Sequence, residues 1–300
     1  MAALRVSERD MWVNRSTAIT RLSRLPSFHP TALLLLAVSI ENPSAVADFE
    51  LAFQGDPALA SRLLTMVNSP LYGFRVRVRS IRQAIDVMGL EGIRSLVFTL
   101  ALGPYLRGAQ SSSLVGAVWN HSLATAVIAE TIGAAAGQDV SFLYMAGLLH
   151  DVGRMGLLSI EGQRYAGVLQ RKYFDIEESL ILEGLLFGCA HDDAGAFLGR
   201  WWGFPEPLCD CIRRHHQPEG NDLSQQIVQL ACHTAGSLGM GEVQCERNVP
   251  VAHDDYLADR IKQTASMHPD HLLPQIHSVA EALVNAGAHP EASPKSWTTS

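Results

Sequence analysis

What this chain lacks narrows its nature before any motif is considered. No apolar run is long: the densest, Leu33-Leu34-Leu35-Leu36-Ala37-Val38, is about a third of the roughly 20 residues that cross a bilayer, so it predicts a core helix and no membrane span. No continuous apolar stretch follows the N-terminal Arg5, Glu8, Arg9 and Asp10, so a secretory leader is not expected. Cysteine is scarce. Cys189, Cys209, Cys211, Cys232 and Cys245 are odd in number and show no paired C-x-x-C spacing, which argues against a disulfide framework and for reduced thiols in a cytoplasmic protein. The C-x-C at Cys209 and Cys211 is weak zinc evidence and reads as structural. Basic residues are outnumbered, 23 Lys and Arg against 30 Asp and Glu for a net charge of -7, so broad attraction to nucleic acid or anionic lipid is not expected. Repeats and long low-complexity segments are missing too.

What remains is an ordinary globular composition over 300 residues, 47% hydrophobic and 18% charged, enough for one large core or two modest ones. Helical signals dominate. Proline opens a helix at Pro30, where a missing amide hydrogen costs little. Ser44 is expected to cap a short helix ending at Gly55. Asp56-Pro57 is the N-cap and first-turn proline of another, whose Leu59, Leu63, Met66 and Val67 share a face. Asn68-Ser69-Pro70 breaks it.

Phe74-Arg75-Val76-Arg77-Val78-Arg79 alternates with period two, yet no partner strand is evident, so an extended linker with a basic face is expected. Ser80 should cap the next helix, with a kink at Gly89 and a loop from Pro104 to Ser113. Trp119-Asn120-His121 is expected to open a helix that closes near Gly137. Ser141 is expected to cap the following one, which ends at His150-Asp151. Asp175 and Glu178 have the form of a capping box. Further helices are expected around Ala194 to Trp201, Pro207 to His216, Ser224 to Leu238 and His271 to Ala286, with a frayed Pro, Ser and Thr-rich tail. Trp201-Trp202 are expected to pack in the core. The class is all-α.

The residues with chemistry are histidines and a carboxylate. His150-Asp151 joins a neutral imidazole to a carboxylate, two ligand types suited to a divalent metal at a hydrolytic site. His121, His191, His215 and His216 add ligands from separate helices, which a metal centre needs because one helix face presents only two or three groups to a point.

In order along the chain, Leu25-Pro26-Ser27-Phe28, Asp56-Pro57-Ala58-Leu59, Met66-Val67-Asn68-Ser69-Pro70-Leu71-Tyr72-Gly73 and Ile81-Arg82-Gln83-Ala84-Ile85 with Met88-Gly89 form one half of a pattern. Trp119-Asn120-His121-Ser122, His150-Asp151-Val152-Gly153-Arg154, Glu183 with Phe187-Gly188-Cys189-Ala190-His191, Trp202-Gly203-Phe204-Pro205 and His215-His216 form the other. The chain thus resembles the bacterial HDOD proteins, the HD-related output domains. The resemblance implies an all-α, HD-related helical domain over residues 20–217 with an additional N-terminal helical bundle. It leaves an extension at 1–19, a partly irregular C-terminal extension at 218–287 and a disordered tail at 288–300.

The resemblance further implies signal transduction through protein partners without a demonstrated catalytic step, a nucleotide second messenger being a further ligand to consider. The metal ligands it implies are His121, His150, Asp151, His191, His215 and His216, and the divalent ion would be Fe, Mn, Zn or Mg. The alternative is a metal-dependent phosphohydrolase acting on a nucleotide or cyclic dinucleotide, with His150, Asp151 and Arg154 as its catalytic residues. Two departures favour relay. HD enzymes add a late Asp where Leu230-Ala231-Cys232-His233 offers Cys or His, and no Gly-Tyr-Pro segment follows His216. Arg154 reads either as a phosphate-facing cation or as a helix-terminal arginine bonding carbonyls. Glu183 reads as a ligand or as a group orienting a histidine.

Overall fold

The computed structural model describes residues 8–108, 113–220, 222–241 and 243–245, with isolated positions 274 and 278. Within them the chain is helical almost throughout. The elements are α1 (Glu8–Leu22), α2 (Pro30–Ala37), α3 (Ala45–Gln54), α4 (Pro57–Val67), α5 (Ile81–Gly108), α6 (Ser113–Ala136), α7 (Val140–Leu149), α8 (Val152–Glu161), α9 (Gln163–Leu169), α10 (Ile176–Phe187), α11 (His191–Trp202), α12 (Glu206–Arg214) and α13 (Leu223–Ala235), followed by a π-helical segment, Gly236–Met240. Among the described residues the one pairing of strands is a two-residue parallel ladder, β1 (Lys172–Tyr173) with β2 (Gln244–Cys245), and no helix is long and apolar enough to cross a membrane.

Several boundaries follow local chemistry as the sequence indicates. The Asp56 carboxylate accepts the Leu59 amide at 3.0 Å, and Asp175 accepts that of Glu178 at 3.1 Å. The Glu178 carboxylate returns to the Phe174 amide at 2.9 Å, closing a box one residue wider than the usual one. Gly89 kinks α5 with φ 74° and ψ 167°. The Phe74–Arg79 stretch is an irregular connection, held because Asn68 mimics a strand partner. Its Oδ1 accepts the Val78 amide at 2.8 Å while Nδ2 donates to the Val78 carbonyl at 2.8 Å.

Other boundaries depart from expectation. Ser44 sits at an N-cap without capping; its hydroxyl donates to Asp48 instead. Asp139, not Ser141, caps α7 by accepting the Phe142 amide. Helix α5 continues past Pro104 to Gly108, and α6 starts at Ser113, which puts His121 inside that helix and not at its start. Helices α1, α8 and α9 carry no clear signal in the sequence. The helix expected between His271 and Ala286 lies outside the described residues except at Pro274 and Ser278, both helical.

Two packed groups share one core. Helices α2 to α5 form the N-terminal bundle, and α5 leans on α7. Around it α6 packs along α7 and α13, while α11 packs between α8 and α12. Phe28 joins the two: fully buried, its ring lies 5.4 Å from that of Phe98, 5.5 Å from Trp202 and 5.0 Å from Phe204. Burying such a ring contributes roughly 1.5–3 kcal/mol. Trp202 is in the core as expected, its indole N–H donating to the Pro26 carbonyl at 3.1 Å, but Trp201 is not. It is 57% exposed and stacks on Phe197.

The crossing of α8 over α11 is unusually close. A Cβ on Gly153 would meet the His191 carbonyl oxygen at 1.9 Å and the Gly195 nitrogen at 2.5 Å. Only a residue without a side chain lets the backbones of the two helices approach this closely, and that approach brings His191 to Asp151.

Candidate metal centre

Chain geometry converges on the break between α7 and α8. His150 is the C-cap of α7 and Asp151 the N-cap of α8, so both project from a turn and not from a helix side. His121 comes from within α6, His191 from the first position of α11, His215 and His216 from the end of α12, and Cys232 from α13. Their ligand atoms form two groups, each within 4.8 Å: Asp151, His191, His215 and His216 in one, and His121, His150 and Cys232 in the other. All six histidine and aspartate residues expected as ligands are therefore brought together. Of the two histidines left open at the end of α12, both are present. Of the two candidates for the late position, Cys232 is the one at the site, its Sγ 3.5 Å from His121 Nε2.

Asp151 bridges the two groups. Its Oδ1 lies 3.2 Å from His191 Nε2 and 3.6 Å from His215 Nε2, while Oδ2 lies 3.5 Å from His150 Nε2 and 3.9 Å from His121 Nε2. His191 Nε2 is also 3.0 Å from His216 Nε2. Burial would by itself raise the Asp151 pKa, but Arg154, His150 and His191 outweigh it and hold the carboxyl well below its ordinary range. Burial drives His150 the other way, well below the usual imidazole value, with His215 and His121 adding to it against Asp151. His216 is pushed well down by burial together with His215 and His191. Ionised carboxylate and neutral imidazole are the forms that bind a cation.

Behind these ligands stands a buried layer of supporting groups. Glu183 on α10 accepts the His191 backbone amide at 2.8 Å and meets His191 Nδ1 at 2.7 Å. That resolves its role: it orients a histidine, as carboxylates do behind metal-bound imidazoles. Burial would raise Glu183, but His191 and Arg154 bring it to about 2. Burial and Arg154 oppose a proton on His191; Glu183 and Asp151 prevail and raise it, so an incoming cation would displace a proton there.

Arg154 is fully buried, its Nε 3.1 Å from Asp151 and its Nη1 3.0 Å from Glu183 and 3.3 Å from the Tyr165 hydroxyl. Neither expectation for Arg154 describes this: it faces carboxylates and a phenol, tying α8 to α9 and α10. Tyr165, which donates to Glu183 at 2.9 Å, had no signal in the sequence, because a lone tyrosine in an apolar run reads as core. Likewise the Met240 carbonyl, 3.0 Å from His121 Nδ1, is a backbone group that no residue type announces.

The donor set fits a divalent metal. Asp151 Oδ1 and His215 Nε2 are buried and lie 3.6 Å apart without a well-formed hydrogen bond between them, a spacing at which a cation would satisfy both. Nitrogen, oxygen and sulfur donors together suit zinc or iron better than magnesium or manganese, which favour oxygen ligands. When bound, such an ion supplies Lewis acidity. Burial pushes Cys209 up to about 11 and Cys211 up to about 12, in keeping with structural roles for both.

The family model for the HDOD domain matches residues 25–218. An uncharacterised protein of Treponema pallidum (strain Nichols) is 27% identical over 202 residues, 65% of this chain but 38% of that protein; the chain spans well under half the length of this relative. Among solved structures, an HDOD domain protein of unknown function from Geobacter sulfurreducens superposes with TM-score 0.63 at 25% identity, covering 91% of this chain and 97% of that one. A Marinobacter aquaeolei VT8 protein named for signal transduction superposes with TM-score 0.69 at 20% identity, covering 93% of this chain and 66% of that one.

Proposed function

The chain belongs to the HDOD domain family, and on that footing we propose that it is a non-enzymatic, cytoplasmic signal-relay module acting through protein partners, with a divalent ion held by His121, His150, Asp151, His191, His215 and His216. The domain that does this comprises residues 20–217, extended by 218–287. One observation carries the reading: among the described residues the ligand cluster is buried except at His216. His150, Arg154, Glu183, His191 and His215 have no exposed surface, and Asp151 and His121 have 1% and 2%, with His216 partly buried at the edge. A phosphohydrolase must admit a phosphate ester and a water to its metal. Here Glu183, Arg154 and Tyr165 pack behind His191 and Asp151, and the Met240 carbonyl meets His121.

A buried ion of this kind braces helices against one another, and its stabilisation belongs to the folded state alone. Relay then operates through the outer surface, where the exposed Trp201, stacked on the half-buried Phe197, offers the type of aromatic anchor that partner contacts favour. The neighbour named for signal transduction agrees with this use of the fold.

The test is metal analysis of protein purified without chelator, paired with turnover assays on a panel of nucleotides and cyclic dinucleotides, with His150→Ala and Asp151→Ala as controls. Stoichiometric metal without turnover is the expected result. Turnover that both substitutions abolish would instead establish a metal-dependent phosphohydrolase using His150, Asp151 and Arg154.

A further inference from the structure

Within the cluster, the group of His121, His150 and Cys232 has a geometry of its own. His121 Nδ1 lies 3.0 Å from the Met240 carbonyl and His150 Nδ1 lies 2.7 Å from that of Gly147. A carbonyl only accepts, so each Nδ1 carries a ring proton and Nε2 is the atom each ring has left to ligate a cation. Those two Nε2 atoms face each other at 3.2 Å. A cation placed between them would be ligated by both.

The spacings match a particular cation. Zn–N bonds near 2.0–2.1 Å and Zn–S bonds near 2.3 Å, at the tetrahedral angle, separate two nitrogens by about 3.3 Å and a nitrogen from a sulfur by about 3.6 Å. The two imidazole nitrogens are 3.2 Å apart, and Cys232 Sγ is 3.5 Å from His121 Nε2. Asp151 Oδ2 lies beside the two histidines, 3.5 Å from His150 Nε2 and 3.9 Å from His121 Nε2.

We propose that Cys232 is a metal ligand, binding as a thiolate beside His121 and His150, and that this sulfur makes the subsite select zinc or a similarly borderline ion over magnesium and manganese. The thiol proton passes to solvent as the Cys232–metal bond forms. The proposal rests on the metal-holding reading above and adds the ligand that a carboxylate-only pattern would not contain. Soft thiolate favours zinc and cobalt, whereas a carboxylate at the same position would favour harder ions.

The experiment uses the full chain, stripped of metal and titrated anaerobically with Co²⁺, a spectroscopic stand-in for zinc. The expected result is visible ligand-field bands together with a near-ultraviolet thiolate-to-cobalt charge-transfer band. Cys232→Ser should lose the charge-transfer band while keeping the ligand-field bands, and Cys232→Asp should gain Mn²⁺ affinity relative to zinc. Cobalt bound without the charge-transfer band, or a band that survives Cys232→Ser, overturns thiolate ligation and leaves the metal reading standing. A wild-type chain that takes up neither cobalt nor zinc overturns both. Should Cys232→Ser fail to fold, X-ray absorption at the zinc edge of the wild type decides: a sulfur scatterer at about 2.3 Å supports the proposal, and nitrogen and oxygen scatterers alone overturn it.

Discussion

Glu183 holds His191 twice, taking its backbone amide at 2.8 Å and facing its Nδ1 at 2.7 Å through the same carboxylate oxygen. One side chain therefore fixes both the start of α11 and the direction in which His191 aims Nε2 at Asp151, 3.2 Å away. Shape and chemistry are coupled at this contact, since any rotation of the imidazole also disturbs the first turn of the helix that carries it.

Replacing Glu183 with Gln is expected to weaken metal binding by about 10- to 100-fold, the usual cost of losing a group that orients a ligand. It also removes a charge that faces the buried Arg154 at 3.0 Å, and breaking a buried pair costs about 3–5 kcal/mol. Because Asp151 still faces Arg154, the lower end of that range applies. Zinc titration and thermal denaturation of the metal-free protein measure the two effects separately. Unchanged zinc affinity would remove Glu183 from the metal centre.

A tighter constraint operates at Gly153, where the missing side chain is a matter of steric room. Gly153→Ala places a methyl against the His191 carbonyl oxygen, 1.9 Å from the ideal Cβ position. Backbone cannot yield as a side-chain tip does, so α8 and α11 must separate. The expected loss is more than about 3 kcal/mol, above the usual overpacking cost, together with loss of metal binding. A variant melting within a few degrees of the wild type would show that the crossing is looser than this.

These positions also separate what the sequence conveys from what it does not. Caps at Asp56 and Asp175, the kink at Gly89 and the break at Asn68 are local, written in residues whose own side chains or backbone freedom make the feature. The histidines of the candidate centre are legible because His150-Asp151 and its companions follow a family pattern in order. Helix α8 is not legible: Gly153 and Gly156 weaken the helical signal, and both are glycine because α8 lies against other parts of the chain, Gly153 meeting α11 backbone and Gly156 meeting Leu198 and Leu22 side chains. Arg154 is ambiguous in the sequence for a similar reason. Its partners sit 11 and 29 residues away on α9 and α10, and only the crossing of those helices makes a buried cation tolerable.

Asn68 offers a test away from the centre. Its amide group bonds both the amide and the carbonyl of Val78 and also the Leu64 carbonyl at 2.7 Å, so Asn68→Ala leaves the Val78 backbone groups without their partner. Each such loss in a buried setting costs about 1–3 kcal/mol. The local consequence should exceed the global one: the segment carrying Arg75, Arg77 and Arg79, three exposed trypsin sites, should be cut faster than in the wild type at temperatures where both stay folded. Equal cleavage rates would mean that other contacts hold this connection.

Glu130, on α6, gives a dependence on pH. Burial pushes its carboxyl up to about 7, whereas in the unfolded chain it titrates near 4.3. Between those values the folded protein keeps a proton that the unfolded chain has released, so the slope of stability with pH is negative for this group. Its contribution is fully present below about pH 4.3 and declines as pH rises toward about 7. Glu130→Gln mimics the protonated form at every pH and removes this dependence. The melting temperature of the variant minus that of the wild type should therefore grow as pH rises through the window and level off above it. A difference that stays flat would mean the folded Glu130 titrates as an ordinary surface carboxylate, and that the half-buried stretch of α6 around it admits more water than its packing implies.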